Sequence, residues 1–170
     1  MIYFIADTHF SEKNIMLYEN RPFQNVTEMN EELVKRWNQV ICEEDEVYHL
    51  GDFGAAGQEI SMLKRLKGRK FLLKGNHDTQ SNQYYRDVGF DEVYDYPIIM
   101  QNFWILSHEP LYVNTNMPYA NIFGHVHNSP LFQTYSPQHY CVSVERIHYT
   151  PISFEEIMMT VRDNTDQSLL

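Results

Sequence analysis

Five short segments of this 170-residue chain hold side chains that could do chemistry: Asp7-Thr8-His9, Gly51-Asp52, Gly75-Asn76-His77-Asp78, Ser107-His108 and Gly124-His125-Val126-His127. Most stand just past a run of β-branched and apolar residues. The donors they offer are carboxylate and amide oxygens and imidazole nitrogens. With no thiolate among them, the set suits hard or borderline divalent ions such as Mn, Fe or Zn. The seven candidate ligands, Asp7, His9, Asp52, Asn76, His108, His125 and His127, are more than one ion needs. They would fill two octahedral or five-coordinate positions that share a carboxylate and leave room for water and substrate, the layout of a two-metal hydrolase.

The elements that must deliver these residues follow from the hydropathy pattern. Residues 2–6 form a short apolar run that reads as a buried strand ending at Asp7 and His9. Residues 10–26 carry Pro22 and several polar residues and read as a loop over the site. Met29, Leu33, Trp37, Val40 and Ile41 recur at helical spacing behind Thr27 as N-cap. Strands are expected over 45–50 and 69–73, leading into Asp52 and Asn76, with helices near 60–67 and 80–88. Beyond Phe90 the pattern turns β-rich: a hairpin from residues 93–100 and 103–106, then strands near 120–124 and 140–145. A last helix starts at Ser153, where Glu156 completes a capping box. No repeat, low-complexity tract or linker interrupts residues 1–170, so a single domain is expected. Alternating helices and strands followed by β structure predict an α/β class, a layered sandwich of two mixed sheets flanked by helices. Ligands at the C-terminal strand ends would then converge on one edge.

At the residue level, extended backbone points residues i and i+2 the same way, so Asp7 and His9 could reach one ion, and His125 and His127 share a face. Gly51 lets the backbone approach closely and frees Asp52 to bridge. Asn76 offers a neutral amide oxygen while His77 points elsewhere.

The ordered pattern D-x-H, G-D, G-N-H-D, H and G-H-x-H over residues 7–127 resembles the calcineurin-like metallophosphoesterase superfamily. Asn20-Arg21-Pro22-Phe23, Met29-Asn30-Glu31 and Tyr48-His49-Leu50-Gly51-Asp52-Phe53 look like a small single-domain bacterial or phage branch of it. The resemblance implies the metallophosphatase fold. It also implies one ion held by Asp7, His9, Asp52 and His127 and a second held by Asp52, Asn76, His108 and His125, with Asp52 bridging. The cofactors would be two divalent ions, Mn, Fe, Zn or Ni. Hydrolysis of a phosphomonoester or phosphodiester would follow attack by a hydroxide between the ions. His77 would stabilise the phosphoryl oxygens and protonate the leaving oxygen, and Asp78 would orient its imidazole.

Bulk properties limit the partners. A formal net charge of -10 argues against a broad basic surface that grips nucleic acid, although bound dications would make the pocket locally positive. The expected partner is a small phosphate ester or a nucleotide. Cys42 and Cys141 are too few for a disulfide framework, and no secretory signal or run of 18 apolar residues appears. A cytoplasmic, non-membrane protein is the default expectation; the oligomeric state is not encoded in any motif. Arg21 could clamp a substrate phosphate bidentately or stand as a surface arginine. His49 reads as a packed histidine, His139 and His148 as surface or strand-face residues, and the basic stretch 64–70 as a solvated helix end. Two other functions compete with the phosphoesterase: a nuclease of the same superfamily, and a non-catalytic scaffold, which the intact His77 disfavours. Specificity would lie in the loops at 10–26, 53–58, 109–119 and 128–139.

Overall fold

The computed structural model describes residues 1–132 and 136–168. Its strands are β1 (Ile2–Ile5), β2 (Glu46–His49), β3 (Arg69–Leu73), β4 (Glu92–Tyr94), β5 (Ile98–Met100), β6 (Trp104–Leu106), β7 (Ala120–Phe123), β8 (His139–Cys141) and β9 (Ile152–Ser153). They form two mixed sheets, one in the order β4-β3-β2-β1-β9 and the other β5-β6-β7-β8. In the first, β1 to β4 are parallel and β9 runs antiparallel to β1. In the second, β6, β7 and β8 are parallel and β5 is antiparallel to β6. Parallel strands need cover on both faces, and the four residues of β7 are all buried accordingly.

Helices α1 (Lys13–Tyr18), α2 (Val26–Val40), α3 (Glu59–Leu63), α4 (Asn82–Val88) and α5 (Phe154–Ser168) surround the sheets. The stripe of α2 is buried as its spacing requires, through Met29, Leu33, Val34 and Trp37. Trp37 donates its indole N–H to Lys67 O at 3.0 Å, which satisfies the one polar atom it takes inside. The Phe154 ring of α5 meets Phe4 of the first sheet and Trp104 of the second, so one helix packs against both. The expected capping box is present: Ser153 Oγ accepts from Glu156 N, and Glu156 Oε2 accepts from Ser153 N.

Three expectations need correction. Residues 10–26 are not all loop, because α1 lies within them. The α2 cap is Asn25, whose side chain accepts from Glu28 N at 2.9 Å, in place of Thr27. The run 93–100 is not one hairpin arm: β4 joins the first sheet and β5 the second. Pro97, which has no N–H to give a ladder, lies between them. Of the 128–139 loop, residues 133–135 lie outside the described residues. Among the described residues no helix is long and apolar enough to cross a membrane.

The two sheets meet at Ala6. Its N–H donates to Val142 O at 2.9 Å and its carbonyl accepts from Val144 N at 3.1 Å, forming a parallel bridge to Ser143. Strand ends from both sheets therefore open onto one edge, where the candidate ligands stand.

Candidate metal centre and active site

The loop after β1 and the loop after β2 run side by side. Asp7 N donates to Gly51 O at 2.9 Å, His9 N to Asp52 O at 3.0 Å and Phe10 N to Phe53 O at 2.9 Å. This pairing places Asp52 Oδ2 3.6 Å from His9 Nε2 and 3.4 Å from His108 Nε2, between ligands of the two expected sets. The spaces between these side chains are narrow. An added Cβ at Gly75 would collide with Asp52 Oδ1, and one at Gly51, which has φ of 96°, would collide with the His108 ring.

Five of the candidate ligands have left-handed backbone: Asp7 (φ 59°), His9 (φ 47°), Asp52 (φ 58°), His125 (φ 67°) and His127 (φ 46°). The expectation that Asp7 and His9 share a direction through extended geometry is thus corrected, and the same holds for His125 and His127. Each pair is turned by the loop. Asp7 and His9 do reach one cluster, with His127; His125 lies in another, with Asp52 and His108. Non-glycine residues rarely adopt this conformation, and such strain concentrates at functional sites.

Asp7, fully buried, accepts from His125 N at 2.9 Å. Burial pushes its carboxyl up, against the pull of His127 and His108. Asp52 is also buried, which alone would push it up, but His108, the His77 amide and His9 hold it below the usual carboxylate range. His108 donates from Nδ1 to Leu50 O at 2.8 Å, and that bond turns Nε2 to the pocket. Burial disfavours its charged form, yet Asp52 and Asp7 raise it to about 9.

Around that Nε2 stand a carboxylate, an amide oxygen and a second imidazole nitrogen. Asn76 Oδ1 lies 3.0 Å from both His108 Nε2 and His125 Nδ1, and these nitrogens are 3.1 Å apart. A proton on His108 relieves the repulsion among these lone pairs, and a divalent cation displacing it would meet the same imidazole, amide and carboxylate atoms. In the other cluster both ring nitrogens of buried His9 lack a hydrogen-bond partner of good geometry. The donor set, free of thiolate, fits divalent ions of the hard or borderline kind.

His77 lies at the rim, half-exposed, with Nδ1 3.6 Å from Glu12 Oε2. A concavity of about 340 Å³ opens there, bounded by His9, Glu12, Tyr18, Asn76, His77 and His127 among others. The expected contact of Asp78 with the His77 ring is not formed. Both oxygens of buried Asp78 accept from backbone amides instead: Asp52 N at 2.6 Å, Gly75 N at 2.9 Å and Phe53 N at 3.1 Å. Burial raises Asp78 to about 6 against these amide bonds. Its place is to tie the two ligand loops together.

Arg21 is corrected as well. Its side chain is enclosed, donating to Asp7 O at 2.6 Å, to Thr8 O at 2.8 Å and to Glu145 Oε1 at 2.9 Å. It faces the back of the Asp7 loop and not the substrate opening. Glu145 in turn places Oε2 3.1 Å from His127 Nδ1. Sequence reasoning missed Glu145 and Glu12, since neither stands in a motif; Glu12 had one signal, its place three residues after His9, and Glu145 had none. His49 is buried, as expected, with Nε2 2.9 Å from Thr8 Oγ1.

Two mixed sheets whose strand ends gather Asp, Asn and His ligands define a metallophosphatase-type protein. The chain matches the calcineurin-like phosphoesterase profile over residues 1–147 and belongs to that family. It is 33% identical over 168 residues to an uncharacterized protein of Methanocaldococcus jannaschii, spanning 94% of this chain and 90% of that one. A protein of gene 66 of Mycobacterium phage L5 is 31% identical over 81 residues, 45% of this chain and 39% of its own. Among solved structures, a protein of unknown function from Aquifex aeolicus superposes with a TM-score of 0.69 at 27% identity, covering 94% of this chain and 98% of that one. The nuclease MPE of Pseudomonas putida shares the fold, with a TM-score of 0.51 at 22% identity over 74% of this chain and 61% of its own.

Proposed function

We propose that residues 1–170 act as one metallophosphoesterase domain that hydrolyses a small phosphomonoester or phosphodiester with two divalent ions. The observation that carries this is the convergence of candidate ligands on Asp52, with Asp7, His9 and His127 on one side and Asn76, His108 and His125 on the other. When bound, two such ions supply a water of lowered pKa and neutralise phosphoryl charge. The residues of the chain do the rest. Asp7, His9, Asp52 and His127 would hold one ion, and Asp52, Asn76, His108 and His125 the other. Asp78 fixes the loops that carry Asp52 and Asn76. His77, half-exposed at the rim where a substrate would enter, donates to a phosphoryl oxygen or to the leaving oxygen. Arg21 belongs to the scaffold of the Asp7 loop.

Net charge of -10 and a mouth that includes Glu12 and Glu19 favour a compact ester or nucleotide over a long nucleic acid. The fold neighbour named as a nuclease gives the second reading, hydrolysis of short oligonucleotides. The test is a screen of Mn-loaded protein across nitrophenyl phosphates, cyclic nucleotides, dinucleoside polyphosphates and short single strands. Turnover that depends on Mn and disappears, together with bound metal, in Asp52→Ala is the expected result. Inert protein across the whole panel would overturn the proposal.

A further inference from the structure

The two ligand clusters differ in what stands behind them. In the Asp7 cluster both imidazoles have a carboxylate beside Nδ1: Glu145 Oε2 is hydrogen-bonded to His127 Nδ1 at 3.1 Å, and Glu12 Oε2 lies 3.1 Å from His9 Nδ1 as a charge contact outside hydrogen-bond alignment. That geometry leaves both Nε2 atoms for a cation. Glu145 cannot swing away, because its other oxygen is held by Arg21 Nε at 2.9 Å and Nη2 at 2.8 Å in an enclosed ion pair. Glu12 sits at the start of α1 and is shared with His77. In the second cluster the support is weaker: the carboxylate beside His108 Nδ1 is Asp7, itself a candidate ligand, with Oδ1 at 4.0 Å. His108 rests on the neutral carbonyl of Leu50, His125 presents its own Nδ1 to the pocket, and Asn76 is uncharged. A carboxylate behind a ligating histidine fixes its ring, sets the tautomer and makes it a stronger donor.

We propose that Glu12 and Glu145 are positioning residues that make the Asp7–His9–His127 cluster the tighter of the two cation positions, so that it fills first and the Asn76–His108–His125 position exchanges its ion. This rests on the two-ion reading above.

The test titrates the metal-free full chain with Mn²⁺ by calorimetry, with circular dichroism to check each variant. Two resolved steps are expected. Glu12→Gln and Glu145→Gln, which keep an acceptor but remove the charge, should each weaken the first step by about 10- to 100-fold and leave the second within about twofold. One step for two equivalent ions, or variants that weaken both steps alike, would overturn the assignment. If Glu145→Gln does not fold beside its unpaired Arg21, Glu12→Gln decides alone, since Glu12 bears no part of that ion pair. Two-step uptake without hydrolysis of any ester would reject the proposed function and keep this inference. Mn-dependent turnover with single-step uptake would do the reverse.

Discussion

Asp78 and Arg21 show how a side chain of the right type for chemistry can be committed to the backbone. Asp78 spends both oxygens on amides of the Asp52 and Asn76 loops, which leaves His77 as the group free at the rim. His77→Ala is therefore expected to take up metal as the wild type does while turnover falls by about 10²-fold or more, the scale of a positioned proton donor. Full activity with normal metal content would remove His77 from the proposed mechanism. Arg21 is fixed by two carbonyls and by Glu145, with no exposed guanidinium surface. Removing one partner of an enclosed ion pair leaves an uncompensated charge, so Arg21→Ala should cost about 3–5 kcal/mol in urea unfolding. A substrate clamp would instead raise KM at unchanged stability, and that outcome would contradict the enclosed placement.

At the scale of elements, β2 ends in a histidine that carries a pH dependence. His49 is fully buried, and that burial lowers its pKa to about 3, against the opposing pull of Asp52. The folded state keeps the ring neutral while the unfolded chain protonates it below its ordinary value of 6.5. Its contribution is present above that value and is lost as pH falls toward the folded value. The unfolding free energy of the wild type relative to His49→Gln should thus decline by about 2 kcal/mol between pH 7 and pH 5. A difference independent of pH would show that His49 is not held neutral. The strands that deliver ligands were legible in the sequence because each apolar run stops within one residue of a Gly or a ligand: 69–73 matches β3 to the residue. The helical stripe of α2 and the Ser153–Glu156 box were equally plain. The split between β4 and β5 was not, because the division of 93–100 between two sheets is decided by partners, Leu72 for Val93 and Ile105 for Ile99, that local pattern does not name. Glu145 was hidden for the same reason: its meeting with His127 depends on where the chain after β8 returns beside β1.

For the molecule as a whole, the described core runs from Phe4 and Val47 in one sheet to Leu106 and Ile122 in the other, and the site lies where these sheets end together. Each proposed ion would draw ligands from both: Asp7, His9 and Asp52 with His127, and Asp52 and Asn76 with His108 and His125. Metal binding is then part of the stability. At an ion concentration 100 times its dissociation constant, each position adds about 2.7 kcal/mol, which chelation should remove as a drop in melting temperature. An unchanged melt on chelation would speak against metal uptake by the folded chain.

Among the described residues, the bridge at Ala6 joins the sheets through two backbone hydrogen bonds, to Val142 and from Val144. A seam so thinly laced depends on what lies beside it, and ions held by Asp7 and His127 would brace it. In deuterium exchange, chelation should speed solvent access at the amides of Ala6, Val142 and Val144 while those in the interior of α2 keep their rate. Loss of metal would then loosen the molecule along one line before it unfolds, and the line runs through the site itself.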